Sequence, residues 1–155
     1  MANDGVARMV NETSISLKYA HIERERRFLV RGPILRSGHA RHLQIRDRYL
    51  IGTRLRVRSV EEVGLPTVFK LGQKIRIDEN LPSTNAHTTM YVSKEEFDLL
   101  SQLPANELEK VRWIETVGEF ILSVDEFGGP LTGLWLAEVD LGVDGTLPDN
   151  FPVDL

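Results

Sequence analysis

Within residues 21–30, Glu23, Glu25 and Arg27 recur at every second position. In a β-strand these three side chains project from the same face, because successive residues alternate between faces. Two carboxylates beside a guanidinium are costly to bury unless opposite charges meet them. Carboxylate oxygens are also the ligands that Mg²⁺ and Mn²⁺ prefer. The row therefore indicates either the start of a hard-cation site or a solvated strand face.

The composition is that of a folded domain. The 155 residues, 41% hydrophobic and 27% charged, suffice for one domain with a sizeable core. Cysteine is absent, which excludes disulfides, thiolate metal sites and a cysteine nucleophile. The sequence has no run of 18 apolar residues and no apolar segment typical of a secretory signal. We therefore expect no membrane span and a cytoplasmic location.

The net charge of −4 conceals a division along the chain. Residues 18–76 contain 15 Lys and Arg against 5 Asp and Glu, whereas residues 77–155 contain 3 against 16. A basic module with an acidic tail would give this division, and so would one domain in which the two parts meet. The acidic part is too rich in apolar residues for a disordered tail. We expect a flexible leader at residues 1–17 and a single domain at residues 18–155.

Alternating polarity and turn residues predict about eight strands. These strands are expected at residues 18–31, 43–51, 54–60, 67–77, 87–92, 108–117, 119–127 and 134–141. The clearest helix, residues 93–103, opens with a capping box of Ser93 and Glu96 and stops at Pro104. The pattern indicates a mainly β (α+β) fold, an antiparallel barrel or sandwich with one or two short helices.

On each strand one face is charged and the other is aliphatic or aromatic. Val111 and Trp113, for example, alternate with Lys110 and Arg112. In a sandwich the apolar faces would meet, whereas in a closed barrel the charged faces could line a polar lumen, with Trp113 and Trp135 packed outside. The sequence period fits both folds. In a lumen the basic side chains would form a cationic tube for a polyanion, and the acidic ones a patch for a divalent metal.

Residues 22–30 resemble the Glu-x-Glu-x-Lys opening of the CYTH, or triphosphate tunnel metalloenzyme, superfamily. Across residues 20–142, later motifs follow in the family's order: Arg56-Val57-Arg58, Lys70, Lys110-Val111-Arg112-Trp113, Val124-Asp125-Glu126-Phe127 and Ala137-Glu138-Val139-Asp140-Leu141. The resemblance implies an eight-stranded antiparallel tunnel. Such tunnels hydrolyse inorganic triphosphate, thiamine triphosphate or nucleoside triphosphates with Mg²⁺ or Mn²⁺, and some family members are adenylate cyclases.

The resemblance also implies roles for individual residues. The implied metal ligands are Glu23, Glu25, Glu138 and Asp140. The implied substrate-binding residues are Arg27, Arg56, Arg58, Lys70, Lys74, Lys110 and Arg112. The implied catalytic residues are Glu25, Arg27 and Asp125, the last of them as a metal-binding or substrate-positioning group.

The chain departs from the family pattern at four positions. Arg27 replaces the opening lysine, and Asp140 replaces the last glutamate. Where the family has a further Glu-x-Glu on its middle strand, this chain has Thr89 and Tyr91, whose neutral hydroxyls are poor metal ligands. We therefore expect one metal ion to bind well, a second to bind weakly, and turnover to be modest. The sequence also stops where many members continue into a C-terminal helix.

Three functions remain open at this point. The first is a metal-dependent triphosphatase, and the second is a tunnel that binds a phosphorylated ligand or polyphosphate but turns it over poorly. The third is an RNA- or polyanion-binding barrel that uses Arg54, Arg56, Arg58 and Lys70 on an outer face, which the acidic rows and the net charge of −4 disfavour. We expect a small-molecule triphosphate or polyphosphate as partner, with a homodimer left open. The histidines at positions 21, 39, 42 and 87 are interpreted as structural or exposed.

Overall fold

The computed structural model describes residues 15–31, 41–142, 146–147 and 151, so most of the predicted leader lies outside the described residues. The strands are β1 (His21–Leu29), β2 (Arg41–Leu50), β3 (Leu55–Glu61), β4 (Val68–Arg76), β5 (Thr84–Val92), β6 (Ala105–Val117), β7 (Phe120–Phe127) and β8 (Trp135–Asp140). Helix α1 (Lys94–Leu100) lies between β5 and β6, and a 3₁₀ turn (Gly129–Leu131) lies between β7 and β8.

The eight strands form a closed antiparallel barrel in the order β1-β5-β4-β3-β2-β6-β7-β8. The barrel closes where β8 pairs with β1, with Glu25 opposite Asp140 and Arg27 opposite Glu138. Each of these strands has two hydrogen-bonded neighbours, which is how a barrel removes the exposed edges of a sheet. The predicted mainly β barrel is confirmed, and the sandwich alternative is wrong.

The charged side chains predicted for the site, on β1, β3, β4, β6, β7 and β8, point into the barrel. Lys74 on β4 donates a hydrogen bond to Glu25 on β1 (2.7 Å), although β5 lies between the two strands. Arg112 on β6 likewise donates to Glu138 on β8 (2.5 Å) across β7. Side chains bridge over an intervening strand on the concave side of a sheet, where they converge. The charged residues therefore line a lumen.

The apolar faces are covered on the outside of the barrel. Trp135 belongs to a buried cluster with Phe151, from beyond the last strand, and Trp113 packs against this cluster. On another side helix α1 covers β4, where the rings of Phe97 and Phe69 lie 4.6 Å apart. Burial of this outer apolar surface stabilises the barrel while the lumen stays polar.

Helix α1 begins with the predicted capping box. Ser93 Oγ accepts a hydrogen bond from the Glu96 amide (3.2 Å), and the Glu96 carboxylate accepts one from the Ser93 amide (2.7 Å). The helix ends at Leu100, three residues earlier than predicted, because turns precede Pro104. Within the described residues, no helix combines the length and apolar content needed to cross a membrane.

Two strands start earlier than the sequence indicates. Strand β5 begins at Thr84, within a segment predicted to be a loop because it contains Asn85. Asn85 pairs with Glu23 on β1 and with Arg76 on β4. Strand β6 begins at Ala105, opposite the end of β2. Pairing with neighbouring strands therefore overrides local turn preference at both positions.

Candidate functional site

The predicted site residues all lie on the inner face of the barrel, in two groups of opposite charge. The cationic wall consists of Arg56, Arg58, Lys70, Lys110 and Arg112, on β3, β4 and β6. The acidic wall consists of Glu23, Glu25, Glu138 and Asp140, on β1 and β8. Arg27 and Lys74 contact the acidic wall, and Asp125 contacts the cationic wall.

Arg58 is held by a carboxylate that the sequence analysis missed. Asp47 on β2 accepts hydrogen bonds from Arg58 Nε (2.6 Å) and Nη2 (2.7 Å), and its side chain is fully buried. A bidentate pair of this kind fixes the plane of the guanidinium. In the sequence, Asp47 follows Leu43 and Ile45 on one face of its strand. A lone acid in an apolar row was the signal that could have identified it.

Asp125 fixes the positions of two cations, Lys110 and Arg112. Its carboxylate accepts from Arg112 Nε and Nη2 (2.7 Å each) and from Lys110 Nζ (2.5 Å). Burial alone would raise the pKa of Asp125, but hydrogen bonds and charge from Arg112 and Lys110 hold it below its ordinary value. The pKa of Lys110 is lowered by burial and by the neighbouring Arg112 charge, against the pull of Asp125. Asp125 is thus an ionised group placed to orient both cations.

On the acidic wall, Arg27 links two carboxylates. Its Nη2 donates to Glu25 Oε1 (2.6 Å) and its Nε donates to Glu138 Oε1 (2.8 Å). Glu25 Oε1 also accepts from Lys74 Nζ (2.7 Å). Burial would raise the pKa of Glu138, but the charges of Arg112, Lys110 and Arg27 lower it. Glu138 is therefore ionised, and both carboxylates are already bonded to cations of the chain.

His87 is the second functional candidate that the sequence analysis missed. Its Nδ1 lies 2.6 Å from Glu23 Oε1, and its Nε2 lies 3.2 Å from Thr89 Oγ1. The hydrogen bond from His87, helped by Lys74 and opposed by burial, lowers the pKa of Glu23 to about 2. The interpretation of His87 as structural or exposed ignored its alternation with Thr89 and Tyr91, which puts all three on the inner face of β5.

The other histidines have separate positions. His21 lies opposite His87 in the pairing of β1 with β5. His42 packs against the ring of Trp113, with centroids 5.0 Å apart. His39 lies outside the described residues.

The acidic wall has the donor chemistry of a hard-cation site, but its carboxylates are not assembled around one point. Among the described residues, no three His, Asp or Glu side chains converge closely enough to hold a metal ion. The cation between Glu25 and Glu138 is the Arg27 guanidinium. Glu23, Glu25 and Asp140 nevertheless line one cavity of about 380 Å³. The donors therefore suit Mg²⁺ or Mn²⁺ once Arg27 and its neighbours release them.

Comparison with known proteins supports the fold. No protein-family model and no curated protein sequence matches the chain. A candidate adenylate cyclase from Bacillus halodurans matches with a TM-score of 0.53 and 16% identity, over 79% of this chain and 81% of that one. The chain shares the fold of that protein. The resemblance drawn from its motifs is thereby confirmed for the fold.

Two solved structures of the protein NE1496 are also similar to this chain, one described as a hypothetical protein and the other as an inorganic triphosphatase. Each is 21% identical to this chain and covers 83% of it. The match spans 84% of the chain described as a hypothetical protein and 81% of the chain described as a triphosphatase. Their TM-scores are 0.49 and 0.48.

Four basic residues were considered for an RNA-binding outer face, and one of them, Arg54, is exposed in the turn before β3. The other three do not lie on an outer face. Arg56, Arg58 and Lys70 face the lumen, as their pairing with inward residues of neighbouring strands requires. The lumen is therefore lined by basic side chains that can contact an anion. Its two walls can bind an anion on one side and a cation associated with that anion on the other.

Proposed function

We propose that this chain binds a triphosphate in its lumen and hydrolyses it with a divalent metal ion, Mg²⁺ or Mn²⁺. The observation that carries the proposal is the surplus of positive charge on the cationic wall. Of its five basic side chains, Arg56, Arg58, Lys110 and Arg112 share three carboxylates, those of Asp47, Asp125 and Glu138, and Lys70 packs on the Tyr91 ring instead. Confined cations in excess of their counter-charges favour an anion with several adjacent negative groups.

Two members of the cationic wall have no carboxylate within hydrogen-bond distance among the described residues. Arg56 Nε is buried without a hydrogen bond and lies 3.6 Å from Asp47. Lys70 packs on the Tyr91 ring, 5.1 Å from its centroid. A buried donor without a partner costs roughly 1–3 kcal/mol. Phosphate oxygens would supply the missing acceptors.

The remaining cations of the wall are already oriented. Asp47 fixes Arg58, and Asp125 fixes Arg112 and Lys110, each through short hydrogen bonds. Oriented donors stabilise developing charge on phosphoryl oxygens without reorganising during the reaction. These side chains therefore suit both binding of the triphosphate and stabilisation of its transition state.

On the acidic wall we expect an exchange of partners when triphosphate binds. Phosphate oxygens would attract Arg27 and Lys74 away from Glu25, because phosphate carries more charge than a carboxylate. Glu23, Glu25 and Glu138 would then be free to hold a metal ion, with Asp140 opposite Glu25. The metal supplies charge neutralisation and an activated water. Triphosphate and metal should therefore bind cooperatively.

The second candidate is a tunnel that binds triphosphate or polyphosphate with little turnover. The observation that favours it is the inner face of β5, which presents His87, Thr89 and Tyr91 but no carboxylate. A second metal ion would then have few ligands, which would leave the charge developing on the phosphoryl group only partly neutralised.

Calorimetry and phosphate release on the purified protein test the proposal, with inorganic triphosphate, thiamine triphosphate and ATP, each with Mg²⁺ and with Mn²⁺. Arg112→Ala and Lys70→Ala should each weaken triphosphate binding about tenfold to a hundredfold, since each removes a charged contact. Asp125 keeps Lys110 as a partner in the first variant. Arg46→Ala, on the outer face of β2 with 61% of its side chain exposed, is the matched control and should bind normally.

The outcomes separate the two candidates. Absence of binding to all three triphosphates by the wild-type protein would overturn the proposal. Binding without phosphate release at millimolar metal would make the tunnel a binder. Release of phosphate that needs added metal and falls in Arg112→Ala would support the triphosphatase.

A further inference from the structure

A cavity on the outer surface of the barrel lies apart from the lumen. Its volume is about 500 Å³, and it is bordered by β2, β3, β6, helix α1 and the 3₁₀ turn between β7 and β8. Ser59, Arg46 and Glu109 lie side by side on its floor, because β2 pairs with β3 and with β6 at these residues. They face outward, since Arg58, the neighbour of Ser59, faces the lumen. A cavity of this size is typical of small-molecule sites.

Polar groups from three elements border this outer cavity without a hydrogen-bond partner among the described residues. Ser101 Oγ, at the end of α1, and Arg48 Nε, on β2, are buried and unbonded. The other Arg48 nitrogens are bonded, Nη1 to Glu107 and Nη2 to Leu103 O (3.3 Å). The Ser59 hydroxyl is also unbonded, although only 6% of the residue is exposed. Each of these groups can donate, so this side of the cavity favours an acceptor such as a carboxylate.

The other side of the outer cavity carries a carboxylate. Glu109 forms no ion pair within the described part of the chain, and its Oε1 would lie 3.6 Å from a methyl group at Gly129 in the 3₁₀ turn. Ser59 and Glu109 flank Arg46 in the sheet, so their backbones are two strand spacings, or about 10 Å, apart. Arg46 itself contacts Glu61 (3.5 Å). Unbonded donors and an unpaired carboxylate therefore border the cavity from opposite sides.

We propose that the outer cavity binds a small zwitterion, an α-amino acid with an apolar side chain. Its carboxylate accepts from the donors on the Ser59 side, and its ammonium donates to Glu109. With a hydrogen bond of about 2.9 Å at each end, the short span between the two charges of an amino acid fits this row. The apolar side chain packs against Phe97 of α1 and Pro130 of the 3₁₀ turn, which also line the cavity.

Three ligands of similar size test the two ends of the cavity separately. Phenylalanine carries both charges, 3-phenylpropanoate lacks the ammonium, and phenethylamine lacks the carboxylate. Titration calorimetry on the purified protein should show binding of phenylalanine. The affinity for each of the other two should be about tenfold lower or less, because each leaves one side of the cavity without its partner.

Two substitutions assign the ends. Ser59→Ala should lower the affinity for phenylalanine about tenfold and remove its preference over phenethylamine. Glu109→Gln should lower the affinity for phenylalanine by a similar factor and remove its preference over 3-phenylpropanoate. Glu119→Gln, exposed in the turn between β6 and β7, is the matched control and should bind phenylalanine as the wild type does.

Two results would overturn the zwitterion site. The first is a wild type that binds none of the three ligands, or binds all three equally. The second is wild-type affinity for phenylalanine in both Ser59→Ala and Glu109→Gln, at unchanged melting temperatures. The expected loss of preference in each variant supports the site.

Competition with inorganic triphosphate separates the outer cavity from the lumen. Saturating triphosphate should leave the affinity for phenylalanine unchanged, because the two sites lie on opposite faces of the sheet. Displacement of phenylalanine would place it in the lumen and overturn the inference. The calorimetry with the three ligands needs no triphosphate, so the proposed function can fail while the outer site is supported.

Discussion

The two walls of the lumen are built in opposite ways. On the cationic wall the counter-charges are aspartates with at most 1% of their side chains exposed, and each fixes its cations through several short bonds. On the acidic wall the carboxylates of Glu23 and Glu25 are 37% and 16% exposed, and flexible Lys74 and the half-exposed Arg27 hold them. Buried pairs persist, whereas accessible pairs exchange readily with a ligand.

The difference assigns different tasks to the walls. The cationic wall is preorganised and carries excess positive charge, as binding of a polyanion requires. Under the proposed function, the acidic wall would be neutralised by Arg27 and Lys74 until a triphosphate attracts both side chains away. A lumen of this design would bind metal well only together with its anion. Three substitutions test this difference between the walls: Asp125→Asn, Glu25→Gln and Glu23→Gln.

The largest effect should come from Asp125→Asn. This change leaves Lys110 and Arg112 in the lumen without their main counter-charge, and breaking a buried pair costs roughly 3–5 kcal/mol. We expect a loss of this size in the free energy of unfolding, measured by urea denaturation. Asp98→Asn breaks an exposed pair with Lys94 and should change the same quantity by less than about 0.5 kcal/mol. Equal changes in the free energy of unfolding for Asp125→Asn and Asp98→Asn would show that the ion pairs of the cationic wall stabilise the protein no more than a surface pair does.

Glu25→Gln should abolish phosphate release while the fold remains intact. Glu25 is the carboxylate that contacts both Arg27 and Lys74, and the resemblance makes it a metal ligand. Loss of one carboxylate charge, at a site where no further carboxylate can replace it, should reduce turnover about a hundredfold or more. The rate of phosphate release at saturating Mn²⁺ measures this turnover, with Glu61→Gln as the control. Wild-type turnover in Glu25→Gln would remove Glu25 from the metal site.

The smallest effect should be the pH dependence that Glu23 gives to folding. His87 and Lys74 lower the pKa of Glu23 to about 2 from an ordinary value of 4.5. Its contribution to stability is therefore fully present above 4.5 and is lost as the pH falls toward 2. Because the side chain is 37% exposed, solvent screening should keep this contribution below about 1 kcal/mol.

Urea denaturation of the wild type and of Glu23→Gln at several pH values checks this contribution. The difference in free energy of unfolding between the two proteins should shrink from neutral pH to about pH 2. A difference that stays constant over this range would mean that Glu23 is not held by His87 in the folded protein.

The sequence alone determined much of the fold. Period-two alternation, as in Lys110 to Trp113, predicted the strands and which residues share a face, because side-chain direction in a strand depends only on position. The capping box at Ser93 predicted the start of α1 because it is a local interaction. The order of motifs from Glu23 to Asp140 predicted the closed eight-stranded barrel and the residues that line it.

Only the tertiary structure decided which side of each strand became the inside, and which charges met there. The alternation of polar and apolar residues is the same in a sandwich and in a barrel. Only the pairing of β1 with β8 in the tertiary structure shows that the sheet closes into a barrel. Contacts such as Lys74 with Glu25, or His87 with Glu23, join residues far apart in sequence. They exist because a closed barrel brings inward side chains of different strands together, and no local pattern in the sequence encodes that convergence.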